Sequence, residues 1–309
     1  MDLVFLGTPE FAVPTLERIV DAGHRVLAVY TQPDRPKGRG QETAFSSVKR
    51  AALRLGLPVH QPERIRRTEV VEELKAMHAE AMVIVGYGQI IPPSILDLPQ
   101  RGIINVHASL LPKYRGAAPI QWAIANAESR TGVTTMKIDA GLDTGDTLLK
   151  DETEIGPEEA APQLSARLAA MGADLLVRTL AQIDTITPEK QNESEATYAP
   201  VLTKANGLID WTQPAPVIAN RLRGFTPWPG TWTHFRSQIL HVNRASTVRE
   251  RSAAPPGTLL PARRRLLVSC GEATTLELLE VQLEGRKRIS AEAFLNGQHL
   301  KENERLGDS

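Results

Sequence analysis

Short apolar runs alternate with amphipathic stretches along the first half of the chain. Residues 3–6 form an apolar run that ends at Gly7, and residues 11–21 place apolar side chains at helical spacing. Arg25–Tyr30 is a second apolar run. The order strand, helix, strand predicts a β-α-β unit, in which the two strands lie parallel in one sheet.

The same alternation continues as far as residue 181. Ala81–Val85 is apolar at every position, which is typical of a strand covered on both faces of a parallel sheet. The other predicted strands are 58–60, 103–107, 132–139 and 147–155, and the predicted helices are 47–55, 68–78 with Thr68 as its cap, 117–127 and 157–181. This order predicts an α/β fold with a doubly wound, Rossmann-like sheet.

The pattern changes after residue 183. Residues 184–203 are polar with few large apolar side chains, which predicts an interdomain linker. A helix is predicted over 211–224, and short strands are predicted at 231–235, 238–245, 257–260, 265–269 and 274–281. Short strands at this spacing predict a small C-terminal OB-like β-barrel. The predicted organisation is therefore a domain over 1–183, a linker over 184–203 and a second domain over 204–309.

Charge is unevenly distributed along a chain that has 36 Lys and Arg against 36 Asp and Glu. Residues 1–203 contain 21 basic and 26 acidic side chains, whereas residues 204–309 contain 15 and 10. A basic C-terminal third is expected of a domain that contacts nucleic-acid phosphates, and also of a domain with a solvated basic face. Charge alone leaves both interpretations open.

The single cysteine, Cys270, excludes an intrachain disulfide and a cysteine-based metal site. The first residues lack the basic segment and the long apolar segment of a signal peptide. No apolar run approaches the ~20 residues that a membrane-spanning helix needs. These features predict a cytoplasmic protein without a membrane partner, and the absence of a long apolar repeat agrees with a monomer.

Two polar side chains close the predicted strand at 103–107. Asn105 and His107 are two residues apart, so both side chains project from the same face of the strand. Ligands of open α/β sheets bind beyond the carboxyl ends of the strands, which is where this pair is expected. An isolated pair of this kind more often caps the following loop, so the surrounding residues decide between the two interpretations.

An acidic, glycine-containing loop follows at residues 139–146. One interpretation is a tight acidic turn between strands, and a divalent-metal loop is another, although the EF-hand spacing is absent. The functional interpretation is that one carboxylate reaches His107. Histidine moves protons near neutral pH, a carboxylate orients it, and an amide N–H stabilises an oxyanion. That set suits acyl transfer to an amine, without a serine or cysteine nucleophile and without a metal.

The first strand-to-helix turn, Gly7–Thr8–Pro9–Glu10, lacks the remaining glycines of a dinucleotide-binding turn. By contrast, Asn105–Val106–His107, the following Ser109–Leu110–Leu111–Pro112, and Asp143 within Gly-Leu-Asp-Thr-Gly resemble the folate-dependent formyltransferases. Further segments resemble the methionyl-tRNA formyltransferases within that group: 7–9, 31–36, 38–40, 114–120 and 227–230. These motifs span nearly the whole chain in the expected order.

The resemblance implies a Rossmann-like formyltransferase domain followed by an OB-like domain that binds tRNA. It implies that Asn105, His107 and Asp143 are catalytic, that His107 acts either as general acid/base or as a charged stabiliser, and that 10-formyltetrahydrofolate is the co-substrate. The implied folate-binding residues are Ser109, Leu110, Leu111, Pro112, Tyr87 and Gly88.

The partner implied by the resemblance is methionyl initiator tRNA. The loop at residues 32–47 is implied to close over the acceptor end, with Arg39, Arg35 and Lys37 as contacts. This sequence departs from the family at Gln41 and Glu42, where lysines are common, so the loop is less basic than expected. Two clusters in the second domain could supply the missing charge: Arg263, Arg264 and Arg265, and Arg286, Lys287 and Arg288. Each cluster could equally be a solvated hairpin edge.

Two other functions stay open at this point. Another formyl-folate enzyme, either a transferase with a small acceptor or a formyltetrahydrofolate hydrolase, would share the three polar residues but would not explain the basic domain. A nucleic-acid-binding protein without catalysis would not explain why all three polar residues are present.

Overall fold

The computed structural model describes residues 1–37, 42–301 and 303–307, and for residues 35–37 and 42–43 it describes the backbone alone. The chain divides into two compact units. The first contains residues 1–119, 130–154 and 165–199, and the second contains residues 120–129, 155–164 and 200–309. Of the segment predicted as a linker, residues 184–199 belong to the first unit and 200–203 to the second. No helix of the described ranges is long and apolar enough to cross a membrane.

The helices and strands follow one another in the order that the sequence predicts for an α/β fold and then a β-rich domain. The strands are β1 (Asp2–Gly7), β2 (Arg25–Tyr30), β3 (Arg35–Lys37), β4 (Glu42–Ala44), β5 (Val59–His60), β6 (Ala81–Val85), β7 (Ile103–His107), β8 (Arg115–Gly116), β9 (Arg130–Lys137), β10 (Thr147–Glu154), β11 (Tyr198–Ala199), β12 (Thr231–Phe235), β13 (Gln238–Val248), β14 (Leu259–Ala262), β15 (Arg265–Ser269), β16 (Thr275–Leu283) and β17 (Ile289–Ser290). The α-helices are α1 (Val13–Asp21), α2 (Ser47–Arg54), α3 (Thr68–Ala76), α4 (Pro93–Leu96), α5 (Pro119–Ala125), α6 (Ala161–Ala181), α7 (Ala215–Gly224) and α8 (Ala291–Gly297).

A seven-stranded sheet organises the first unit, in the order β10-β9-β7-β6-β1-β2-β5. The strands from β7 to β5 pair in parallel, whereas β9 pairs antiparallel with both β7 and β10. Every residue of β6 and of β7 is buried, because apolar side chains cover both faces of the sheet. The prediction of a Rossmann-like sheet is confirmed, with an antiparallel edge that the sequence did not predict.

A second, antiparallel sheet organises the second unit, in the order β12-β13-β16-β15-β14, with β17 paired to β16. Its core contains Trp211, Phe235 and Phe294. Cys270 is also buried there, and burial raises the pKa of its thiol to about 12. This small antiparallel domain confirms the fold class predicted for the C-terminal third.

The helices predicted to begin at residues 117 and 157 begin at Pro119 and Ala161. Two further helix starts differ from the prediction for a reason that the backbone shows. Thr68 is the first residue of α3 rather than its cap, because the preceding Arg67 has extended backbone angles and holds the cap position. The helix predicted over 211–224 begins at Ala215, because Pro214 is extended and Pro216 occupies the first turn, where its missing N–H costs no hydrogen bond. The short helices α4 and α8 and the β3–β4 hairpin were not predicted.

Candidate active site

The carboxyl end of β7 carries the two polar side chains that the sequence placed there. Asn105 and His107 are 8% and 6% exposed, so both lie almost entirely within the protein. The strand is flanked by β6 and β9, whose backbones leave the β7 side chains facing above and below the sheet. The two-residue spacing therefore brings both polar groups to one face, as expected.

Asp143 reaches both of these side chains from the loop between β9 and β10. The Asn105 amide Nδ2 donates to Asp143 Oδ1 at 3.4 Å, and His107 Nδ1 lies 3.7 Å from Asp143 Oδ2. The Asp143 side chain is 14% exposed, so its charge is largely shielded from water. Three residues separated by up to 38 positions therefore form one cluster.

The segment from Tyr114 to Gly116 fixes the orientation of the cluster. His107 Nε2 lies 2.9 Å from the Tyr114 carbonyl oxygen, an acceptor, so Nε2 carries the proton that is donated. The Gly116 backbone N–H donates to Asp143 Oδ2 at 2.9 Å. Because Nε2 is engaged by Tyr114, the ring nitrogen that faces the carboxylate is Nδ1.

The loop that carries Asp143 has a conformation that its own residues enforce. Asp139 accepts hydrogen bonds from the Gly141 N–H at 3.0 Å and the Thr144 hydroxyl at 2.8 Å, which closes the first part of the loop. A side chain at Gly145 would overlap the backbone of Lys137, so glycine is required there. Asp143 has a φ of 53°, a left-handed conformation that aspartate tolerates better than most residues. Within the described ranges, no group of three or more His, Cys, Asp or Glu could hold a metal ion.

The turn after β7 contains four of the residues predicted to bind folate, and two of them are buried while the other two are partly exposed. Ser109 is fully buried and donates through its hydroxyl to the Lys113 carbonyl at 2.6 Å. Leu111 is 1% exposed, and its N–H donates to the Thr134 hydroxyl at 3.2 Å. Leu110 and Pro112 are partly exposed. Ser109 and Leu111 therefore shape the turn, while Leu110 and Pro112 remain accessible to a ligand.

The remaining predicted folate residues lie in the turn after β6. The Tyr87 ring is buried in the core, which raises its pKa to about 12. Its carbonyl oxygen accepts from the Thr8 hydroxyl and from the Gln32 amide, both at 3.1 Å. Gly88 is exposed and has a φ of 83°. This turn therefore exposes the backbone of Gly88, while the Tyr87 side chain lies in the core.

The predicted tRNA contacts lie in the loop at residues 32–47 and in the two basic clusters of the second unit. The loop contains Arg35, Lys37 and Arg39. Arg39 lies outside the described residues. Arg35 and Lys37 lie in β3, which pairs antiparallel with β4. Their contact with tRNA stays a prediction.

The basic cluster at 263–265 belongs to the turn between β14 and β15, and its members differ in their partners. Arg265 donates to Glu277 at 2.9 and 3.0 Å and to Glu250 at 2.6 Å, and these carboxylates raise the pKa of its guanidinium. Arg264 is 84% exposed and lies 3.2 Å from Glu292. Arg265 is therefore held within its own sheet, and Arg263 and Arg264 are the exposed members of this cluster.

The second basic cluster follows β16. Arg286, Lys287 and Arg288 are all exposed. Arg288 lies 3.9 Å from Glu280, a distance at which the attraction between exposed charges is weak. The cluster therefore retains positive charge that a polyanion could reach.

Comparison with known proteins agrees with this geometry. Residues 1–180 match the formyl transferase family, and residues 201–299 match the formyl transferase C-terminal domain. The methionyl-tRNA formyltransferase of Solibacter usitatus (strain Ellin6076) is 65% identical over 100% of this chain and 99% of its own. The protein of the same name from Koribacter versatilis (strain Ellin345) is 56% identical over 99% of each chain. The chain belongs to the methionyl-tRNA formyltransferases.

Solved structures with the same fold include other formyltransferases. The N-formyltransferase from Helicobacter canadensis, in complex with folinic acid and dTDP-3-aminofucose, has a TM-score of 0.67 and 19% identity, covering 89% of this chain and 98% of its own. HypX from Aquifex aeolicus, in complex with tetrahydrofolic acid, has a TM-score of 0.63 and 12% identity, covering 95% of this chain and 46% of its own. At these identities the likeness concerns the fold alone.

For a methionyl-tRNA formyltransferase, sequence reasoning missed the groups that support the three polar residues. The Tyr114 carbonyl and the Gly116 N–H are backbone groups, which every residue has, so the sequence pattern does not predict that they contact His107 and Asp143. Gln191 lies in the segment predicted as a linker, yet its amide donates to the carbonyl oxygens of Asp143 and Gly145, both at 2.8 Å. Only the polar character of that segment, which is rich in hydrogen-bonding side chains, could have indicated it.

Proposed function

We propose that this protein transfers the formyl group of 10-formyltetrahydrofolate to the α-amino group of methionyl initiator tRNA, and that Asn105, His107 and Asp143 perform the transfer. Membership of the methionyl-tRNA formyltransferases supports the reaction. The observation that carries the assignment of residues is the convergence of the three side chains at the carboxyl end of β7.

Each of the three residues has a role that follows from its contacts. As the amine attacks, the formyl oxygen gains negative charge, and the Asn105 amide supplies an N–H donor in a largely water-free position. The attacking nitrogen must lose a proton. We infer that His107 accepts it at Nδ1, because Nε2 is engaged by the Tyr114 carbonyl. Asp143, 3.7 Å from Nδ1, stabilises the charge that the ring then carries. The bond between the formyl carbon and N10 of the folate breaks next, and N10 takes up the proton that the ring has held.

The turns after β6 and β7 also offer groups that suit a folate. A pterin ring is planar and carries several hydrogen-bond donors and acceptors, so exposed backbone groups beside apolar side chains suit it. The exposed Gly88 backbone and the partly exposed Leu110 and Pro112 offer this combination. The exposed side chains Ile90 and Leu142 lie in the same two loops as Gly88 and Asp143, and they add apolar surface. The bound folate supplies the activated formyl group.

A transfer to a small acceptor is the second candidate function. It rests on the likeness of fold to the N-formyltransferase crystallised with a nucleotide sugar. The second unit, with its basic clusters, gives the tRNA acceptor the stronger support, because phosphate contacts need accessible arginine and lysine side chains. The monomeric state and the cytoplasmic location remain predictions.

The test is formyl transfer from 10-formyltetrahydrofolate to methionyl initiator tRNA, with methionyl elongator tRNA and glycinamide ribonucleotide as parallel acceptors. We expect a strong preference for the initiator in kcat/KM. Transfer only to the small acceptor would favour the second candidate function, and release of free formate would indicate a formyltetrahydrofolate hydrolase. Either outcome would leave the assignment of the three polar residues in place.

The exposed arginines of the 263–265 cluster are expected to contact tRNA phosphates. The double substitution Arg263→Gln and Arg264→Gln should weaken tRNA binding and reduce the slope of log Kd against log salt concentration by roughly 1 for each lost phosphate contact. Arg265→Gln is the matched control, because Arg265 is held by Glu250 and Glu277 and should affect thermal stability rather than the slope. An unchanged slope in the double variant would remove this cluster from the interface.

A further inference from the structure

A fully buried arginine lies next to the candidate active site. Arg115 has an exposed fraction of 0%, while its partner Glu193 is 70% exposed. A buried guanidinium is costly unless its N–H groups are paired. Here Nη1 and Nη2 each donate to a different Glu193 oxygen at 2.8 Å, and Nε donates to Gln191 Oε1 at 3.0 Å. This bidentate ion pair raises the pKa of the Arg115 guanidinium and lowers the pKa of the Glu193 carboxyl.

The amide of Gln191 continues this network into the loop that carries Asp143. Its oxygen accepts from Arg115, while its Nε2 donates at 2.8 Å to the carbonyl oxygens of Asp143 and Gly145. Both donor positions of the amide are thereby used on the loop backbone, on either side of Thr144. The side chain of Gln191 therefore restrains the backbone from which the Asp143 carboxylate projects.

The other end of the network adjoins the groups that hold His107. Arg115 lies between Tyr114, whose carbonyl accepts from the His107 ring, and Gly116, whose N–H donates to Asp143. Residues 189–199, which we call the strap, pair with this segment. The Thr197 hydroxyl accepts from the Tyr114 N–H at 2.8 Å, the Thr197 carbonyl accepts from the Arg115 N–H at 2.8 Å, and β11 of the strap pairs in parallel with β8.

The beginning of the strap is anchored to the sheet. Glu189 and Thr147 exchange two backbone hydrogen bonds, at 2.8 and 2.9 Å, at the start of β10. The strap is thus tied at three places: to β10, to the Asp143 loop and to β8. It lies beyond residue 180, where the match to the formyl transferase family ends.

We propose that Gln191 and the Arg115–Glu193 ion pair are positioning residues for the formyl transfer. Their hydrogen bonds hold the Asp143 carboxylate and the Tyr114 carbonyl at a fixed distance from each other. Because these two groups face Nδ1 and Nε2 of His107, they determine the orientation of its ring. The proposal rests on the proposed function, because it gives the strap a role only if His107 and Asp143 act in catalysis. The segment that leaves the catalytic sheet is then part of the active site rather than a passive connection.

The first test replaces Gln191 by methionine, which has a similar length but cannot donate to the loop. We expect kcat to fall about 10- to 100-fold, because small displacements of catalytic groups are costly, while KM for both substrates changes little. Gln182→Met makes the same replacement at an exposed glutamine of the same unit and should leave kcat unchanged. Unchanged kcat for Gln191→Met in a folded protein would overturn the proposal.

A double-substitution cycle separates positioning from a general loss of stability. Combined with His107→Ala, Gln191→Met should lower kcat little further, because groups that act through one catalytic residue are strongly non-additive. Full additivity would show that Gln191 acts elsewhere and would overturn the proposal. If His107→Ala itself left kcat unchanged, the catalytic role of His107 would be wrong. That outcome differs from an unchanged kcat in Gln191→Met alone, so the experiment distinguishes failure of the proposed function from failure of the positioning role.

The ion pair is tested in the same way. Glu193→Ala removes the acceptor of both guanidinium nitrogens and should lower kcat at least 10-fold, whereas Glu193→Gln keeps one acceptor oxygen and should recover part of the loss. Glu152→Ala is the matched control, since Glu152 is an exposed carboxylate that pairs with an arginine, Arg130, and both residues lie outside the strap. Equal activity of the two alanine variants would contradict the role of the ion pair.

Discussion

Replacing His107 by alanine is expected to lower kcat for formyl transfer by about 10²- to 10⁴-fold, the range typical of losing a general acid or base. The ring has one nitrogen engaged by the Tyr114 carbonyl and the other facing Asp143 at 3.7 Å, whereas alanine provides neither a proton acceptor nor a charge for Asp143 to stabilise. The affinity for methionyl-tRNA should change little, because a residue that is 6% exposed offers almost no surface to a macromolecule.

The measurement is single-turnover transfer at saturating folate, with the dissociation constant for tRNA determined separately. Because His107 is buried, alanine leaves a cavity, so His107→Gln serves as a second variant. A glutamine amide nitrogen lies about as far from the backbone as the histidine Nε2, so it can still donate to the Tyr114 carbonyl. His299→Ala, at an exposed histidine, is the control. Wild-type turnover in both His107 variants would refute the assigned mechanism.

Replacing Asn105 by alanine is expected to lower kcat by about 10²- to 10³-fold, the usual effect of removing one donor to a developing oxyanion. Asn105→Asp should be at least as severe. It has nearly the same shape, but it sets a carboxylate 3.4 Å from Asp143 Oδ1 and beside the oxygen that becomes negative. Like charges at this distance repel strongly in a buried site.

These two substitutions distinguish donation from packing. If Asn105 only fills space, the isosteric aspartate should be the milder change, and that order of kcat values would contradict the proposed role. Asn296→Asp, at an exposed position in α8, controls for the added negative charge. The comparison is made at saturating substrates and at one pH, so that kcat alone reports on the transfer step.

The alternation of apolar runs and helical periodicity was sufficient to predict the central sheet of the first unit. β1, β2 and β6 contain continuous apolar runs, and β7 is apolar except at Asn105 and His107. The structure places all four as neighbouring parallel strands. Local pattern works here because a strand buried on both faces needs apolar residues at every position. The pattern failed for α4 and the β3–β4 hairpin, which are too short to show periodicity.

The convergence of the three polar residues could also be predicted, because they lie in short sequence motifs. Asn105 and His107 share one strand, so their common face follows from the two-residue repeat alone. That Asp143 is the carboxylate that reaches them came from the resemblance, since residues 139–146 hold three acids and their spacing does not select one. The structure brings Asp143 to the pair, while Asp139 is used to close the loop.

The arginines of the second unit show the limit of sequence reasoning in another way. Arg263, Arg264 and Arg265 are identical in type and adjacent in sequence, yet Arg265 pairs with two carboxylates and Arg264 is 84% exposed. Their difference arises from cross-strand neighbours on β16 and from the position of Glu250. Those partners are distant in sequence, so composition cannot separate the three.

The sequence alone determined the order of the main strands and helices and the α/β class, because these depend on local periodicity, and its family motifs indicated the three polar residues. Only the tertiary structure decided what holds the candidate active site in place. Residues 184–199, polar and without periodicity, had the appearance of a linker, yet Gln191 and Glu193 contact the loop and strand around Asp143 and His107. Hydrogen bonds between distant side chains and backbone groups leave no periodic trace along the chain, so they became visible only once the chain was folded.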